Sequence, residues 1–339
     1  MDKIQPNALE KHLEDRILID VRAPAEYAHA HIPNALSLPL FNDAERAKVG
    51  TAYKQISPEN ALIKGLEIVG PKMSGFVKKV IKWSPNRKIV VHCWRGGKRS
   101  GSMSWLLRFA GFDVVTLEGG YKNYRNHVLQ YFDNQRFNII ILGGKTGSGK
   151  TQILHELEKQ GEQIIDLEAL ANHKGSAFGW IGEKAQPSTE QFENDLHAAL
   201  QKLDTDRRVW VENESHSIGS VFIPQAFWAQ MKAAPLLHLE VPFDKRVQHL
   251  VTVYTTTSPE DLTLSFEKIR KRIGHEATQN AIDAIDNQDF ATAAAIGLTY
   301  YDKTYTYNLD TNITPSKNIM EVTDVDISKL AQKVKAFDI

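Results

Sequence analysis

The sequence predicts an α/β protein in which short parallel strands alternate with helices. Apolar runs at residues 17–21, 88–92 and 137–142 have the length and composition of buried strands. Segments with helical spacing lie between these runs, and a glycine-rich loop follows two of them. With 339 residues, the chain is long enough for two domains and a third, smaller one.

Residues 1–130 form the first predicted domain. Its predicted strands are residues 17–21, 36–38, 88–92 and 114–117, and its predicted helices are residues 59–83, which Gly70-Pro71 should divide, and 100–109. Residues 121–136 are predicted as a helix that connects the first domain to the next.

Residues 131–242 form the second predicted domain, which has a parallel sheet. Its predicted elements are strands 137–142, 163–166, 208–212 and 236–241 and a helix over residues 150–160. Residues 243–310 have little strand signal, and residues 243–339 are therefore predicted as a mainly helical C-terminal extension.

Composition and charge limit the function classes. Lys plus Arg and Asp plus Glu both number 41, so net charge does not indicate a nucleic-acid partner, although local basic clusters still can. A single cysteine excludes an internal disulfide. The N-terminus lacks the apolar core of a signal peptide, and no apolar run has the length of a membrane span. A cytoplasmic protein with no membrane partner is expected, and a monomer is favoured.

The loop that contains Cys93 is the first candidate site. Backbone N–H groups in a loop between a strand and a helix can converge on an anion, and the helix N-terminus adds positive charge. Arg95, Lys98 and Arg99 add full charges, which favour a nucleophilic thiolate. Gly97, with its neighbour Gly96, should permit the tight backbone path. The alternative is a buried, inert cysteine at a strand end.

The second candidate site is a phosphate-binding loop. Residues 144–151 satisfy the GxxxxGK[ST] pattern, with an apolar strand before them and a helix after them. Lys150 should approach the terminal phosphates, and the Thr151 hydroxyl should bind Mg²⁺. The phosphate-binding residues predicted here are Gly144, Thr146, Gly147, Ser148, Gly149, Lys150 and Thr151. The motif does not distinguish ATP, GTP and other diphosphates.

Acidic and polar residues after later strands are candidates for a metal site or a lid. An acidic residue should end a strand near the phosphate loop, although such a residue is as often a helix cap. The candidates are Asp166, Glu168, His173, Ser176, Glu212 and Glu214. A basic cluster, Lys268, Arg270, Lys271 and Arg272, is the strongest candidate for contact with a nucleic-acid backbone; a solvated helix face is the alternative.

The first 130 residues resemble rhodanese domains. Residues 18–27, 31–35 and 38–40 are similar to the opening signature of that family, and residues 117–121 to its closing signature. The resemblance implies that the loop cysteine handles sulfur or selenium. Arg99 lies six positions after Cys93, whereas sulfurtransferases commonly place it five after the cysteine. The longer spacing resembles the phosphatases of this fold, whose wider loop holds a tetrahedral oxyanion.

The whole chain resembles the tRNA 2-selenouridine synthases. This resemblance depends on the Cys93 loop, the phosphate loop and the segments at residues 166–179 and 212–219; Lys174 stands where Arg is expected. It implies that wobble 2-thiouridine of tRNA is S-geranylated from geranyl diphosphate and that selenium from selenophosphate then replaces the S-geranyl group. Cys93 would carry selenium or only position the anion. Selenophosphate and geranyl diphosphate are the implied co-substrates, tRNA is the implied partner, and a selenophosphate supplier is a candidate partner.

Two other functions fit the same motifs. One is an RNA-binding P-loop NTPase whose rhodanese-like domain is a non-catalytic interaction module. The other is a rhodanese-fold phosphatase fused to a kinase-like domain.

Overall fold

The computed structural model describes residues 2–254, 257–311, 317–322 and 326–337. The chain divides into two compact units, Met1–Phe132 with Glu193–His197, and Asp133–Phe192 with Ala198–Ile339. Residues 243–339, predicted as a separate extension, fall in the second unit. None of the helices in the described parts of the chain has the length and hydropathy of a membrane span.

The first unit contains a five-stranded sheet in which every neighbouring pair is parallel, in the order β1-β5-β4-β2-β3. The strands are β1 (Lys3–Ile4), β2 (Ile17–Asp20), β3 (Leu36–Ser37), β4 (Lys88–His92) and β5 (Asp113–Leu117). The helices are α1 (Leu9–Leu13), α2 (Pro24–His29), α3 (Asp43–Gln55), α4 (Pro58–Val69), α5 (Met73–Trp83), α6 (Lys98–Phe109) and α7 (Gly120–Asn134). The predicted division at Gly70-Pro71 is confirmed, because a 3₁₀ turn at Gly70–Lys72 separates α4 from α5.

The second unit also has a five-stranded parallel sheet, in the order β12-β11-β6-β8-β7, with a small antiparallel pair beside it. The strands are β6 (Asn138–Gly144), β7 (Gln163–Ile165), β8 (Arg208–Glu212), β9 (Ser217–Ile218), β10 (Val221–Phe222), β11 (Leu236–Glu240) and β12 (Lys317–Glu321). The helices are α8 (Lys150–Lys159), α9 (Leu167–Ala171), α10 (Thr189–Leu200), α11 (Gln225–Ala233), α12 (Phe243–Tyr254), α13 (Pro259–Ile273), α14 (His275–Asp286), α15 (Phe290–Thr311) and α16 (Ile327–Lys335), of which Glu193–His197 of α10 belongs to the first unit.

The end of the chain completes the second sheet. Strand β12, which the sequence did not predict, pairs in parallel with β11 along its whole length. Helix α16 buries Leu330, Ala331 and Val334 in the core that also contains Ile153 and Leu157 of α8. Strand β12 is an edge strand whose residues alternate between exposed and half-buried, so it lacks the apolar run that marked the other strands.

Helices α13 to α15 carry a second apolar core within this unit. Its buried members include Leu262, Phe266 and Ile269 of α13 and Ile285 of α14, and Phe178 joins them from the loop after α9. Both candidate loops follow a central strand, β4 in the first sheet and β6 in the second. Ligands of parallel α/β sheets bind at the carboxyl ends of such strands. The predicted α/β class is confirmed.

Candidate active site

The backbone of the Cys93 loop is held by the turn that follows β5. The carbonyl oxygen of Cys93 accepts the N–H of Tyr121 at 2.8 Å, and that of Trp94 accepts the N–H of Lys122 at 2.9 Å. Gly120 has φ +61°, and a Cβ there would lie 2.2 Å from the carbonyl oxygen of Cys93. This close approach excludes a side chain at residue 120 and fixes where the loop begins.

The thiol of Cys93 is buried but has a polar partner. Cys93 is 3% exposed, and its Sγ lies 3.2 Å from Oγ of Ser100, which also lies 3.2 Å from the carbonyl oxygen of Gly97. The burial is that of a structural cysteine, whereas a hydroxyl in contact with sulfur can donate to a thiolate. The fold explains both the burial of the thiol and its contact with Ser100. Cys93 follows the central strand β4, and Ser100 lies in the first turn of α6.

The three predicted cations of the loop differ in their surroundings. Arg95 and Lys98 are exposed, whereas Arg99 donates to both carboxylate oxygens of Glu26, at 2.6 and 3.3 Å. Burial alone would raise the pKa of Glu26, but the hydrogen bond from Arg99 holds that pKa below its usual value. An anion that enters the loop therefore meets a guanidinium that already has a carboxylate partner.

The steric need for glycine in this loop differs from the expectation. Gly97 has a negative φ, and a Cβ there would meet nothing within 4 Å. Gly96, by contrast, has φ +65°, and its Cβ would lie 3.0 Å from the carbonyl oxygen of Leu117. The tight backbone path thus requires glycine at residue 96, whereas no such steric requirement is seen at Gly97.

A buried ion pair lies beside the Cys93 loop. Arg22 and Asp20 are both almost fully buried, and Arg22 Nη2 lies 2.7 Å from Asp20 Oδ2. The Arg22 guanidinium also covers the ring of Tyr121, with 3.8 Å between the guanidinium carbon and the ring centroid. His92, which precedes Cys93, is fully buried, and burial lowers its pKa. This packing holds the end of β4 and the start of α7 together.

The phosphate loop is joined to helices of the same unit. Gly147 has φ +80°, and a Cβ there would lie 3.1 Å from the carbonyl oxygen of Arg246. Arg246 is 2% exposed; it donates to the carbonyl oxygen of Thr146 at 3.2 Å and forms two hydrogen bonds with Asp302, at 2.8 and 2.7 Å. Helices α12 and α15 thereby position the loop.

Lys150, Thr151 and Glu168 meet at the start of α8. The Lys150 ammonium donates to the carbonyl oxygen of Gly144 at 3.1 Å, and the Thr151 hydroxyl donates to Glu168 Oε2 at 3.0 Å. The backbone N–H of Glu168 donates to Glu212 Oε1 at 2.9 Å. Oγ of Ser148 is buried and has no hydrogen-bond partner among the described residues, as expected of a donor that faces a ligand.

These residues fit Mg²⁺ bound together with phosphate. In the described part of the chain, no three His, Cys, Asp or Glu side chains are arranged to hold a metal by themselves. Mg²⁺ commonly uses one or two protein oxygens plus substrate phosphates and water. The contact between the Thr151 hydroxyl and the Glu168 carboxylate provides such a pair. Asp166, by contrast, caps α9 through the N–H of Ala169 and lies 2.8 Å from His155 Nε2.

The other two acidic candidates are close to Glu168. Burial and repulsion from neighbouring carboxylates, Glu168 among them, raise the pKa of Glu214 to about 8. Burial likewise raises the pKa of Glu212, whose Oε2 has no hydrogen-bond partner among the described residues. A Cβ on Gly175 would lie 2.6 Å from Glu214 Oε2, so the segment after α9 approaches these carboxylates closely.

One cleft of about 770 Å³ contains the phosphate loop and many of the other candidates. Glu168, Ser176 and Glu214 line it, and so does Arg272. His173 does not line it, and burial lowers the pKa of His173. The predicted lid segment therefore forms one wall of the phosphate cleft through Lys174, Gly175 and Ser176.

The basic cluster on α13 is spread over different surroundings. Lys268 lies over the ring of Trp180, 4.2 Å from its centroid, and Arg270 pairs with Glu267 one turn earlier. Lys271 is exposed, and Arg272 is exposed at the edge of the phosphate cleft. Arg272 is therefore the one member of the cluster that lines this cleft.

Comparison with known proteins identifies the family. Residues 137–334 match the tRNA 2-selenouridine synthase AAA domain, and residues 5–127 match the rhodanese-like domain. The chain belongs to the tRNA 2-selenouridine synthase family. A tRNA 2-selenouridine synthase of Hydrogenovibrio crunogenus is 36% identical over 331 residues, which are 86% of this chain and 89% of that protein. The protein of that name from Shewanella frigidimarina is 35% identical over 300 residues, 81% and 80% of the two chains. The one from Nitrosomonas europaea is 37% identical over 258 residues, 73% of this chain and 66% of its own length.

Several contacts in this member of the 2-selenouridine synthase family were not predicted as parts of the site. Ser100 follows Arg99 at the start of α6, and its contact with the Cys93 thiol is what gives it a place in the site. Arg246 and Asp302 are separated by 56 positions in helical segments, and no local pattern pairs them. Asp20 and Arg22 lie in the opening signature, but their ion pair was not predicted. Two opposite charges at the end of an apolar run could have indicated it.

Proposed function

We propose that this protein replaces the sulfur of wobble 2-thiouridine in tRNA by selenium, through S-geranylation and then selenation. The observation that supports the proposal is the presence, in a member of the 2-selenouridine synthase family, of two loops that offer different chemistry to an anion. One site offers a thiol with a hydroxyl partner, and the other offers a lysine, a hydroxyl and a carboxylate around a phosphate loop.

The phosphate loop would serve the geranylation step. The sulfur of thiouridine attacks C1 of geranyl diphosphate, the C1–O bond breaks, diphosphate leaves with the electron pair, and the base loses its N3 proton. Lys150 and the loop N–H groups hold the diphosphate and stabilise the charge that develops on it. Thr151 and Glu168 would hold Mg²⁺, which neutralises part of that charge when bound. Alkylation converts a poor leaving group into a thiol.

The Cys93 loop would serve the selenation step by receiving selenophosphate. Selenium in selenophosphate is already at the selenide level, so transfer without an oxidant is balanced if the Cys93 thiolate attacks phosphorus. The S–P bond forms, the P–Se bond breaks, and hydrogen selenide leaves. Selenide then adds to C2 of the base, and the C–S bond breaks with loss of geranylthiol. Water hydrolyses the phosphocysteine to phosphate and restores Cys93. Ser100 would donate to the sulfur, and Arg95, Lys98 and Arg99 would balance the phosphate charge.

Mass spectrometry of tRNA nucleosides tests the proposal. Incubation of the full chain with tRNA that contains 2-thiouridine, Mg²⁺ and geranyl diphosphate should yield S-geranyl-2-thiouridine. Further addition of selenophosphate should yield 2-selenouridine. Binding of tRNA and ATP without any change in nucleoside mass would contradict the proposal and favour a nucleotide-dependent RNA-binding protein.

Two variants separate the two sites. Lys150→Ala should abolish geranylation, and Lys159→Ala, at the exposed end of the same helix, is its control. Cys93→Ser should abolish selenation of tRNA that is already geranylated, while geranylation continues. Normal selenation by Cys93→Ser would refute the nucleophilic role of the thiol.

A further inference from the structure

An apolar pocket adjoins the phosphate cleft. It lies among helices α12 to α15, where Leu262, Phe266, Ile285 and Leu298 line it. Thr146, Ser176, Leu250 and Tyr301 line both this pocket and the phosphate cleft. The two cavities therefore share a boundary that includes a residue of the phosphate loop itself.

The chemistry of the two cavities is opposite. The cleft presents Lys150 and loop N–H groups, which suit a diphosphate. None of the described residues that line the pocket carries a charge, and its polar side chains, Thr146, Ser176 and Tyr301, are those shared with the cleft. A nucleoside in the pocket would leave its ribose hydroxyls and base edges without partners, which is costly. A hydrocarbon chain has no such need.

We propose that this pocket holds the hydrocarbon tail of the diphosphate substrate, with the reacting carbon at the shared boundary near Thr146. The inference rests on the proposed function, because that function supplies a diphosphate with a geranyl tail. The tail leaves water for an apolar lining, which stabilises binding in proportion to the apolar area that is buried. The contacts of Arg246 with the Thr146 carbonyl and with Asp302 fix the pocket helices relative to the phosphate loop.

The pocket has a volume of about 60 Å³, and small residues on α15 line it. Ala293, Ala294 and Gly297 line the pocket within little more than one helical turn. A Cβ on Gly297 would lie 3.6 Å from the ring of Phe266, an ordinary contact distance. Larger side chains at these positions would occupy the cavity, so the same residues should limit the length of the tail.

Calorimetric titration of the full chain with Mg²⁺ and either geranyl diphosphate, dimethylallyl diphosphate or inorganic diphosphate tests the inference. Ala294→Leu should weaken binding of geranyl diphosphate by about tenfold or more, since one methylene that a pocket cannot accept changes discrimination by about 10–200-fold. Its affinity for inorganic diphosphate should stay unchanged, and that for the shorter dimethylallyl diphosphate should fall less. Ala291→Leu, on the exposed start of the same helix, is the matched control and should change none of the three.

The outcomes distinguish the two proposals. If the wild type binds geranyl diphosphate no more tightly than inorganic diphosphate, the proposed function and the pocket assignment both fail. If it does bind more tightly and Ala294→Leu binds equally well, only the pocket assignment fails. If Ala294→Leu also loses affinity for inorganic diphosphate, the substitution has disturbed the phosphate cleft, and the smaller change Gly297→Ala is used to test the assignment. Gly297→Ala should weaken geranyl diphosphate selectively, by a few-fold, and unchanged binding by that variant would overturn the assignment.

Discussion

Replacement of Gly120 by alanine tests whether the turn after β5 controls the Cys93 loop. A Cβ at residue 120 would lie 2.2 Å from the carbonyl oxygen of Cys93 and 2.5 Å from the N of Gly96. Both atoms belong to the loop backbone and have no rotamer by which to move aside. Gly120→Ala must therefore either displace the Cys93 loop or break the hydrogen bond from the N–H of Tyr121 to the Cys93 carbonyl.

The magnitude follows from two costs. A non-glycine residue at positive φ loses about 1–2 kcal/mol, and forcing extra volume into a packed site costs about 1–3 kcal/mol. Gly120→Ala should therefore lower the free energy of unfolding by about 2–5 kcal/mol. Gly101→Ala is the matched control, because Gly101 lies inside α6 and a Cβ there would meet nothing within 4 Å. It should stabilise the protein by about 0.5–1 kcal/mol.

Differential scanning calorimetry of the full chain measures the two variants against the wild type. The transition of the first unit should shift down by about 7–17 °C in Gly120→Ala, whereas it should shift slightly upwards in Gly101→Ala. In the tRNA assay, Gly120→Ala should lose selenation and retain geranylation. A Gly120→Ala protein as stable as the wild type would refute the claim that this turn fixes the loop, whatever its activity.

Three further predictions concern other contacts. Glu168→Gln should weaken the Mg²⁺ dependence of diphosphate binding in calorimetric titration. Asp166→Ala, which removes a helix cap, should instead lower stability by about 0.5–2 kcal/mol and leave that dependence intact. Arg246→Met should destabilise the protein by about 3–5 kcal/mol because Asp302 loses both hydrogen bonds from Arg246. The added change Asp302→Leu should restore much of the lost free energy of unfolding, as measured in urea. His197 is buried among aromatic rings, and this burial lowers its pKa to about 3. As pH falls below about 6.5, His197 therefore takes up a proton in the unfolded state but not in the folded state. Between about pH 7 and pH 5 this should cost the wild type about 2 kcal/mol of stability that His197→Phe does not lose; equal losses in the two proteins would contradict the assignment.

The elements that the sequence predicted well are those whose signal is local. An apolar run followed by glycines marks β4 and β6, and helix-breaking Gly70-Pro71 marks the end of α4, so neighbouring residues alone suffice. Strand β12 was missed because its edge position leaves only Ile319 and Met320 as apolar residues, and its pairing partner lies about eighty positions earlier. The apolar pocket could not be predicted for the same reason, because four helices that each look like ordinary core segments enclose it.

The C-terminal segment is best understood as part of the phosphate-binding unit. Strand β12 covers the edge of β11, whose other edge pairs with the strand that leads into the phosphate loop. Helix α16 covers α8, which begins at Lys150, and Arg246 of α12 holds the carbonyl of Thr146. Strand β12 pairs with the backbone groups of β11, and Arg246 pairs with the carbonyl of Thr146. Buried backbone groups without such partners would be costly. A phosphate loop that holds a diphosphate beside an apolar tail needs a fixed orientation. The contacts of β12, α16 and Arg246 help to fix it.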